Sequence, residues 1–364
     1  MRWKLNMKSR LLGHFIEFGS GNLRRSARPV LALVVQLIFL ASSPSIARAQ
    51  TVWFSPHSGP AGARDYLDLF KENAPWRNAS SHISVIGFAA DFVTSTPERD
   101  LSEIFADLNR RNIKSMVQMF PLAGRPTPEA PACGLAVEGY GAPLGSLMVA
   151  RKVKRLGGEI SYFTMDEPLF FGHDFDRSED PNQNRNPRRR GCRLPISEVA
   201  ADAAARFKDV RSVFPTVKIG DVEPFMEFSE NQWEAELSNW FDAFEGATGE
   251  RLAFFRLDLR WIAPWQSRMP KLIALLKRKG IPLQVIYDGS SNAGSDAAWT
   301  SQAKQRFQQF EGTLGIKPDG AVLQSWAAYP SRALPESDPA SMTGLVMQYV
   351  SWKHARQQDV THLP

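Results

Sequence analysis

Apolar positions along the chain fall into short β-rich runs separated by longer segments of helical period. After an N-terminal stretch considered below, the runs cover residues 51–55, 83–88, 113–120, 159–165, 217–220, 252–259, 282–287 and 321–325. Between or after them, residues 64–73, 98–111, 145–156, 197–214, 231–244, 267–279, 297–311 and 341–353 place apolar side chains at the three- and four-residue spacing of amphipathic helices. Several of these helices stop alike. Arg111-Asn112, Leu156-Gly157-Gly158 and Lys279-Gly280 join a basic last turn to an Asn or Gly stop, and the next run starts at once. Eight strand–helix repeats with short connections after the helices predict an α/β fold, a single (β/α)8 TIM barrel. A doubly wound open sheet would carry a glycine-rich phosphate loop after its first strand, and Trp53-Phe54-Ser55-Pro56-His57-Ser58-Gly59-Pro60 is not one.

The segments that follow strands are the long ones. Residues 121–141 follow the third strand and 168–195 the fourth, and both are rich in Pro, Gly, Arg and Asp. Barrel sites form at the carboxyl ends of the strands. The residues expected there are Ser55 and His57 from the first strand, Asp91 from the second, Gln118 and Phe120 from the third, and Asp166 and Glu167 from the fourth. The fifth contributes Asp221 and Glu223, the sixth Asp258, Arg260 and Trp261, the seventh Tyr287 and Asp288, and the eighth Gln324 and Trp326. Alternation along the sixth strand puts Arg256, Asp258 and Arg260 on the lumen face and Phe255, Leu257 and Leu259 toward the helices. Arg256 and Asp258 are equally readable as a buried ion pair lining the barrel.

Composition changes meaning once the N-terminus is set aside. Arg24, Arg25 and Arg28 precede an apolar core over residues 30–40, and Ala47-Arg48-Ala49 offers a cleavage site before Gln50. Residues 1–49 therefore read as a secretory signal peptide and 50–364 as the barrel domain. The apolar core falls short of the ~20 residues that span a bilayer, so no stable membrane insertion is expected after leader removal. The expected location is periplasmic or extracellular, with a monomer expected. The leader holds eight of the 44 Lys and Arg and one of the 38 Asp and Glu, which leaves 36 bases against 37 acids. That near-neutral balance gives no support for nucleic-acid binding. One basic cluster remains, Arg185, Arg188, Arg189, Arg190 and Arg193, a solvated loop or a rim able to grip an acidic polysaccharide. The two cysteines, Cys133 and Cys192, fall one in each long loop, and in an exported chain such a pair predicts a disulfide across the barrel mouth. No His pair at ligand spacing accompanies them, so no structural zinc is expected, and no cofactor.

Asp166-Glu167-Pro168 at the end of the fourth run resembles the Asn-Glu-Pro of clan A glycoside hydrolases, (β/α)8 barrels in which that Glu is the general acid/base. Trp326 at the end of the eighth run matches the aromatic residue those enzymes often set beneath the sugar ring. The chain departs from the pattern in having Asp166 before the acid, and Asp288 where the family has a nucleophilic Glu at the end of strand 7. The resemblance implies hydrolysis of a poly- or oligosaccharide. Glu167 would protonate the leaving oxygen, with its pKa raised by neighbouring acids such as Asp166 and Glu223. Asp288, Asp221 or Glu223 would then supply the nucleophile or base. Substrate contacts are expected from Asp166, Trp53, His57, Asp258, Arg260, Trp261, Tyr287, Gln324 and Trp326, with Trp faces available to stack on pyranose rings. Trp265 is a further candidate of this kind, whereas Trp233, Trp240 and Trp352 lie on helices and read as packing. The segment Glu138-Gly139-Tyr140-Gly141 is placed to fold back over the mouth. Two other classes fit the same acids. One is a Mg- or Mn-dependent lyase or isomerase, which would usually also need a Lys or His base in the lumen, and no strand end supplies a Lys. The other is a non-catalytic carbohydrate-binding barrel of exopolysaccharide assembly.

Overall fold

The computed structural model describes residues 50–361 apart from residue 60 and segments 126–132 and 176–190. The leader-like residues 1–49 and the arginines at 185–190 lie outside the described residues. Eight parallel strands close a barrel: β1 (Thr51–Ser55), β2 (Ile83–Ala89), β3 (Lys114–Met119), β4 (Tyr162–Asp166), β5 (Lys218–Pro224), β6 (Phe255–Asp258), β7 (Leu283–Tyr287) and β8 (Gly320–Gln324). Each strand pairs with its sequence neighbours, and β1 closes against β8. All eight expected runs are strands. No helix among the described residues is long and apolar enough to cross a membrane.

The helix stops behave as the sequence requires. Asn112 and Gly280 take left-handed backbone after Glu98–Arg111 and Met269–Lys279, so the chain reverses into the following strand without a long connection. The segment at 64–73 differs from expectation. Only a short 3-10 turn, Tyr66–Phe70, forms there, followed by the helix Arg77–His82. Glu336 from the far end of the chain caps that helix by accepting from the Asn78 and Ala79 amides.

Alternation sorts the side chains into two cores. The outward set, including Phe54, Ile86, Val117, Phe163, Leu257, Val285 and Leu323, packs beneath the helices. The inward set is smaller: Trp53, Val85, Met116, Val222, Phe254, Ile286 and Val322. Carried once round the barrel, the pairing slips by about eight residues, the stagger of an eight-stranded (β/α)8 barrel, so inward side chains from alternate strands stack in layers of about four. From the middle of the lumen toward the mouth these layers are Gly87, Thr164, Arg256 and Val322; then Ser55, Gln118, Val222 and Ile286; then Ala89, Asp166, Asp258 and Gln324.

The Cys133–Cys192 disulfide forms, with Cα atoms 4.8 Å apart, and joins the loops after β3 and β4. Closing a loop of 59 residues removes about 4 kcal/mol of chain entropy from the unfolded state. Within the first loop, Leu122–Ala123 pairs with Tyr140–Gly141 as a two-stranded ribbon, which turns Glu138 and Gly139 back toward the end of β4.

Candidate active site

Glu167 is the most constrained residue at the mouth. It directly follows β4, its backbone is left-handed at φ 49°, and its side chain is only 8% exposed. A non-glycine residue in that region costs about 1–2 kcal/mol, which persists only where the surroundings over-determine it. Here they do. The Glu167 amide donates to the Val222 carbonyl at 3.0 Å, and its own carbonyl accepts from the Phe171 amide at 3.0 Å, starting the helical turn Phe170–Asp174. Glu223 secures the same turn by accepting from the amides of Leu169 at 2.7 Å and Phe170 at 3.1 Å.

The Glu167 carboxyl receives no hydrogen bond or ion pair among the described residues. Burial, then repulsion from Asp258, Asp166, Glu138 and Glu223, holds its proton well above the usual carboxylate range. Asp258 faces the lumen from β6, also without a donor; burial and then the charges of Asp288, Glu138 and Asp166 push it up to about 8. Asp166 accepts a short hydrogen bond from the Gln118 amide, and burial and Glu138 raise it to about 7. Asp288 is the member of this group that is ion-paired with Arg306. Its Oδ1 accepts from Arg306 at 2.5 Å and from the Trp261 indole at 3.0 Å; burial raises its pKa to about 6, and these two donors oppose the rise. A proton-retaining acid and a carboxylate held by a cation thus share one barrel mouth, the division of labour that acid–base cleavage needs.

Other expected residues complete the rim. Trp326 is exposed at 47%. Trp261 is half-buried, its orientation fixed by Asp288 and by Arg306 over its ring at 5.4 Å. His57 is tied through Nδ1 to the Ala327 carbonyl at 2.9 Å, linking the β1 and β8 loops. Gln324 lies in the layer of Asp166 and Asp258, with its Oε1 buried and unpartnered. Arg260 is exposed and pairs with Glu227 at 3.3 Å. Glu138 enters from the β3 loop as one of the charges acting on Asp166, Glu167 and Asp258.

Five expected residues are placed elsewhere. β5 runs on to Pro224, and Val222 points into the lumen, so alternation turns Asp221 and Glu223 outward beneath the helices. Asp221 accepts from the Trp240 indole at 2.7 Å, and Glu223 caps the turn after Glu167 rather than facing the mouth. Tyr287 likewise points outward and donates to Glu311 at 2.9 Å. Trp53 is buried in the amino-terminal half of the lumen, packed on Tyr162 and Phe254 with ring centroids 4.7 and 5.1 Å away. Trp265 is core, stacked on Phe310. Arg256 makes no ion pair with Asp258; its Nε donates to Gln284 Oε1 at 2.9 Å.

A groove of about 1510 Å³ lies away from the Glu167 cluster. It runs from His57, Ala89 and Asp91 at the mouth down between the Tyr66–Phe70 turn and the Glu98–Arg111 helix. The buried carboxyls with raised pKa values, rather than the groove, make the Glu167 cluster the candidate site. Among the described residues no group of three or more His, Cys, Asp and Glu has a metal-holding arrangement.

No protein-family model matches the chain, and no curated protein matches it. Solved structures do. A GH10 structure from Paenibacillus barcinonensis aligns at 9% identity and TM-score 0.44, over 77% of this chain and 84% of its own. A truncated 3-deoxy-D-arabino-heptulosonate 7-phosphate synthase from Thermotoga maritima aligns at 10% identity and TM-score 0.41, over 84% and 87%. An HpcH/HpaI aldolase from Desulfitobacterium hafniense aligns at 8% identity and TM-score 0.36, over 86% and 94%. At such scores, proteins of unrelated chemistry match alike, and they do not choose among reactions. The fold rests on the chain's own strand order: a closed eight-stranded parallel barrel surrounded by helices.

Proposed function

We propose that the chain is a glycoside hydrolase acting on a poly- or oligosaccharide, with Glu167 as general acid/base and Asp288 as the carboxylate that attacks the anomeric carbon or activates water. The observation that carries this reading is Glu167: a strained backbone presents a buried carboxyl whose pKa is raised well above the usual range and that has no hydrogen-bond or ion-pair partner among the described residues. A general acid must be protonated and able to reach the leaving oxygen. Its counterpart must be ionised, and Arg306 gives Asp288 that property. Burial first, with Asp258 beside it, favours the protonated form of Glu167. Trp326 and Trp261 supply apolar faces at the rim for a sugar ring, while Gln324 and Asp166 offer hydrogen bonds to hydroxyls.

The same reading makes residues 1–49 a secretory leader and the remaining chain an exported enzyme, which the Cys133–Cys192 disulfide supports. The test is release of reducing ends from a panel of α- and β-linked polysaccharides by wild type and Glu167→Gln. Turnover by the wild type that falls about 10²–10⁴-fold in the variant, with polysaccharide binding retained, supports the reading. Turnover that is equal in the two proteins removes Glu167 from the mechanism, and binding without turnover by either makes the barrel a carbohydrate-binding protein.

A further inference from the structure

Among the described residues, the cation in the lumen below the acids has no counter-charge. Arg256 is fully buried on β6, and neither Nη1 nor Nη2 has a hydrogen-bond partner. Its guanidinium lies over the rings of Trp53 at 4.8 Å and Phe254 at 4.9 Å, while Nε donates to Gln284. Those contacts occupy one edge and the ring-facing side of the fork. The two terminal nitrogens are left over, in the apolar company of Val85, Met116, Val222, Ile286 and Val322. An isolated buried cation costs several kcal/mol unless paired. The mouth acids do not pair it: burial alone lowers Arg256 to about 9, with no carboxylate acting to raise it.

Two further hydroxyls, one in this layer and one in the next, are also unpartnered. Thr164 Oγ1, on β4, is buried without a hydrogen bond. Ser55 Oγ, likewise unpartnered, sits 2.0 Å from where a Cβ on Gly87 would be, and so takes Gly87's place in the layer of Thr164 and Arg256. That layer would ordinarily be closed by four bulky side chains. Here it is built from Gly87, Thr164, Val322 and an arginine whose guanidinium lies over the Trp53 and Phe254 rings. Arg256 Nη1 and Nη2 can only donate, and the Ser55 and Thr164 hydroxyls have their protons free to donate.

We propose that this lumen layer is a binding site for a small inorganic anion of halide size, held by Arg256 Nη1 and Nη2 with the hydroxyls of Thr164 and Ser55. The anion neutralises Arg256 in the barrel interior and satisfies donors that the fold leaves open. Its role is to stabilise the closed barrel beneath the acid cluster, independent of whatever reaction the mouth carries out.

Crystals soaked in sodium bromide, with data collected at the bromine absorption edge, should show an anomalous peak within hydrogen-bonding reach of Arg256 Nη and Thr164 Oγ1. In solution, the wild-type Tm should rise with the logarithm of chloride concentration when gluconate keeps ionic strength constant. Arg256→Met and, separately, Thr164→Val should flatten that slope whatever their Tm without chloride. If Arg256→Met does not fold, Thr164→Val and the bromide map decide alone. Bromide found only at the surface, or a chloride slope unchanged in Thr164→Val, overturns the proposal and leaves water as the partner of these donors. None of these readouts depends on glycosidase activity.

Discussion

Replacing Arg306 with Met should move the acidic limb of the pH–rate profile upward. Arg306 Nη1 donates to Asp288 Oδ1 at 2.5 Å and to its carbonyl at 2.7 Å, and the two side chains are only 15% and 14% exposed. Burial pushes the Asp288 carboxyl up, and Arg306 is the largest influence holding it down, at about 6. Two unit charges about 4 Å apart interact by about 4 kcal/mol at an effective dielectric of about 20, and a neighbouring cation commonly lowers a carboxyl pKa by about 1–3. At pH 7 a carboxyl titrating at about 6 is roughly nine-tenths ionised. Raised by one pH unit it is about half ionised; raised by three, about one-hundredth. If Asp288 must be ionised to act, kcat/KM at pH 7 falls about two- to hundredfold in Arg306→Met and recovers as pH rises toward the new pKa. Arg306→Lys keeps a charge at the site and should shift the limb less. The assay is kcat/KM across the full pH range on whichever polysaccharide the wild type degrades. An acidic limb that stays in place in Arg306→Met refutes the assignment of Asp288 as the ionised partner.

Two stability measurements test the frame around the site. Asp221 is fully buried and, through desolvation, titrates well above an ordinary carboxyl, with only the Trp240 indole favouring its ionised form. Its raised folded-state pKa means that stability is full below the unfolded-state pKa of about 3.9 and is lost as pH climbs toward the folded value, by up to about 1.4 kcal/mol per pH unit. Asp221→Asn can still accept from Trp240 and removes this dependence, so urea unfolding should show the variant gaining on wild type as pH rises from about 4 to 8; parallel curves would mean that Asp221 is ionised in the fold. Substituting both Cys133 and Cys192 with Ala should lower unfolding free energy by about 2–4 kcal/mol in chemical denaturation, less than the full loop-entropy figure if the unfolded chain retains structure. No loss of stability would mean that the bridge constrains only loops that unfold locally.

Much of this architecture was legible in the chain. Strand runs ending at Ser55, Met165 and Tyr287 and helix stops at Asn112 and Gly280 depend on local propensity and backbone conformation, which sequence carries directly. The acids were legible as a set but not as a geometry. Ending the fifth strand at Gly220 placed Asp221 and Glu223 at the mouth, whereas four more strand residues and strict alternation send them outward to Trp240 and the Leu169 amide. Trp53 and Tyr287 were misplaced for a related reason: proximity to a strand end does not say which face, or which end of the lumen, a side chain occupies. Arg306 carried no signal at all. It lies on the helix Asp296–Phe307 among ordinary helix formers, and only the packing of that helix against β7 brings it to Asp288. Glu167, by contrast, owes its candidacy to strand position, and the backbone strain that strengthens it is a property of the folded chain alone.

The most direct test of the central claim compares two substrates in Glu167→Gln. A natural polysaccharide needs its leaving oxygen protonated, while an aryl glycoside with a good leaving group does not. If Glu167 is the general acid, the variant loses about 10²–10⁴-fold in kcat on the polysaccharide and keeps bond cleavage on the aryl glycoside near the wild-type rate. Equal losses on both substrates would contradict it.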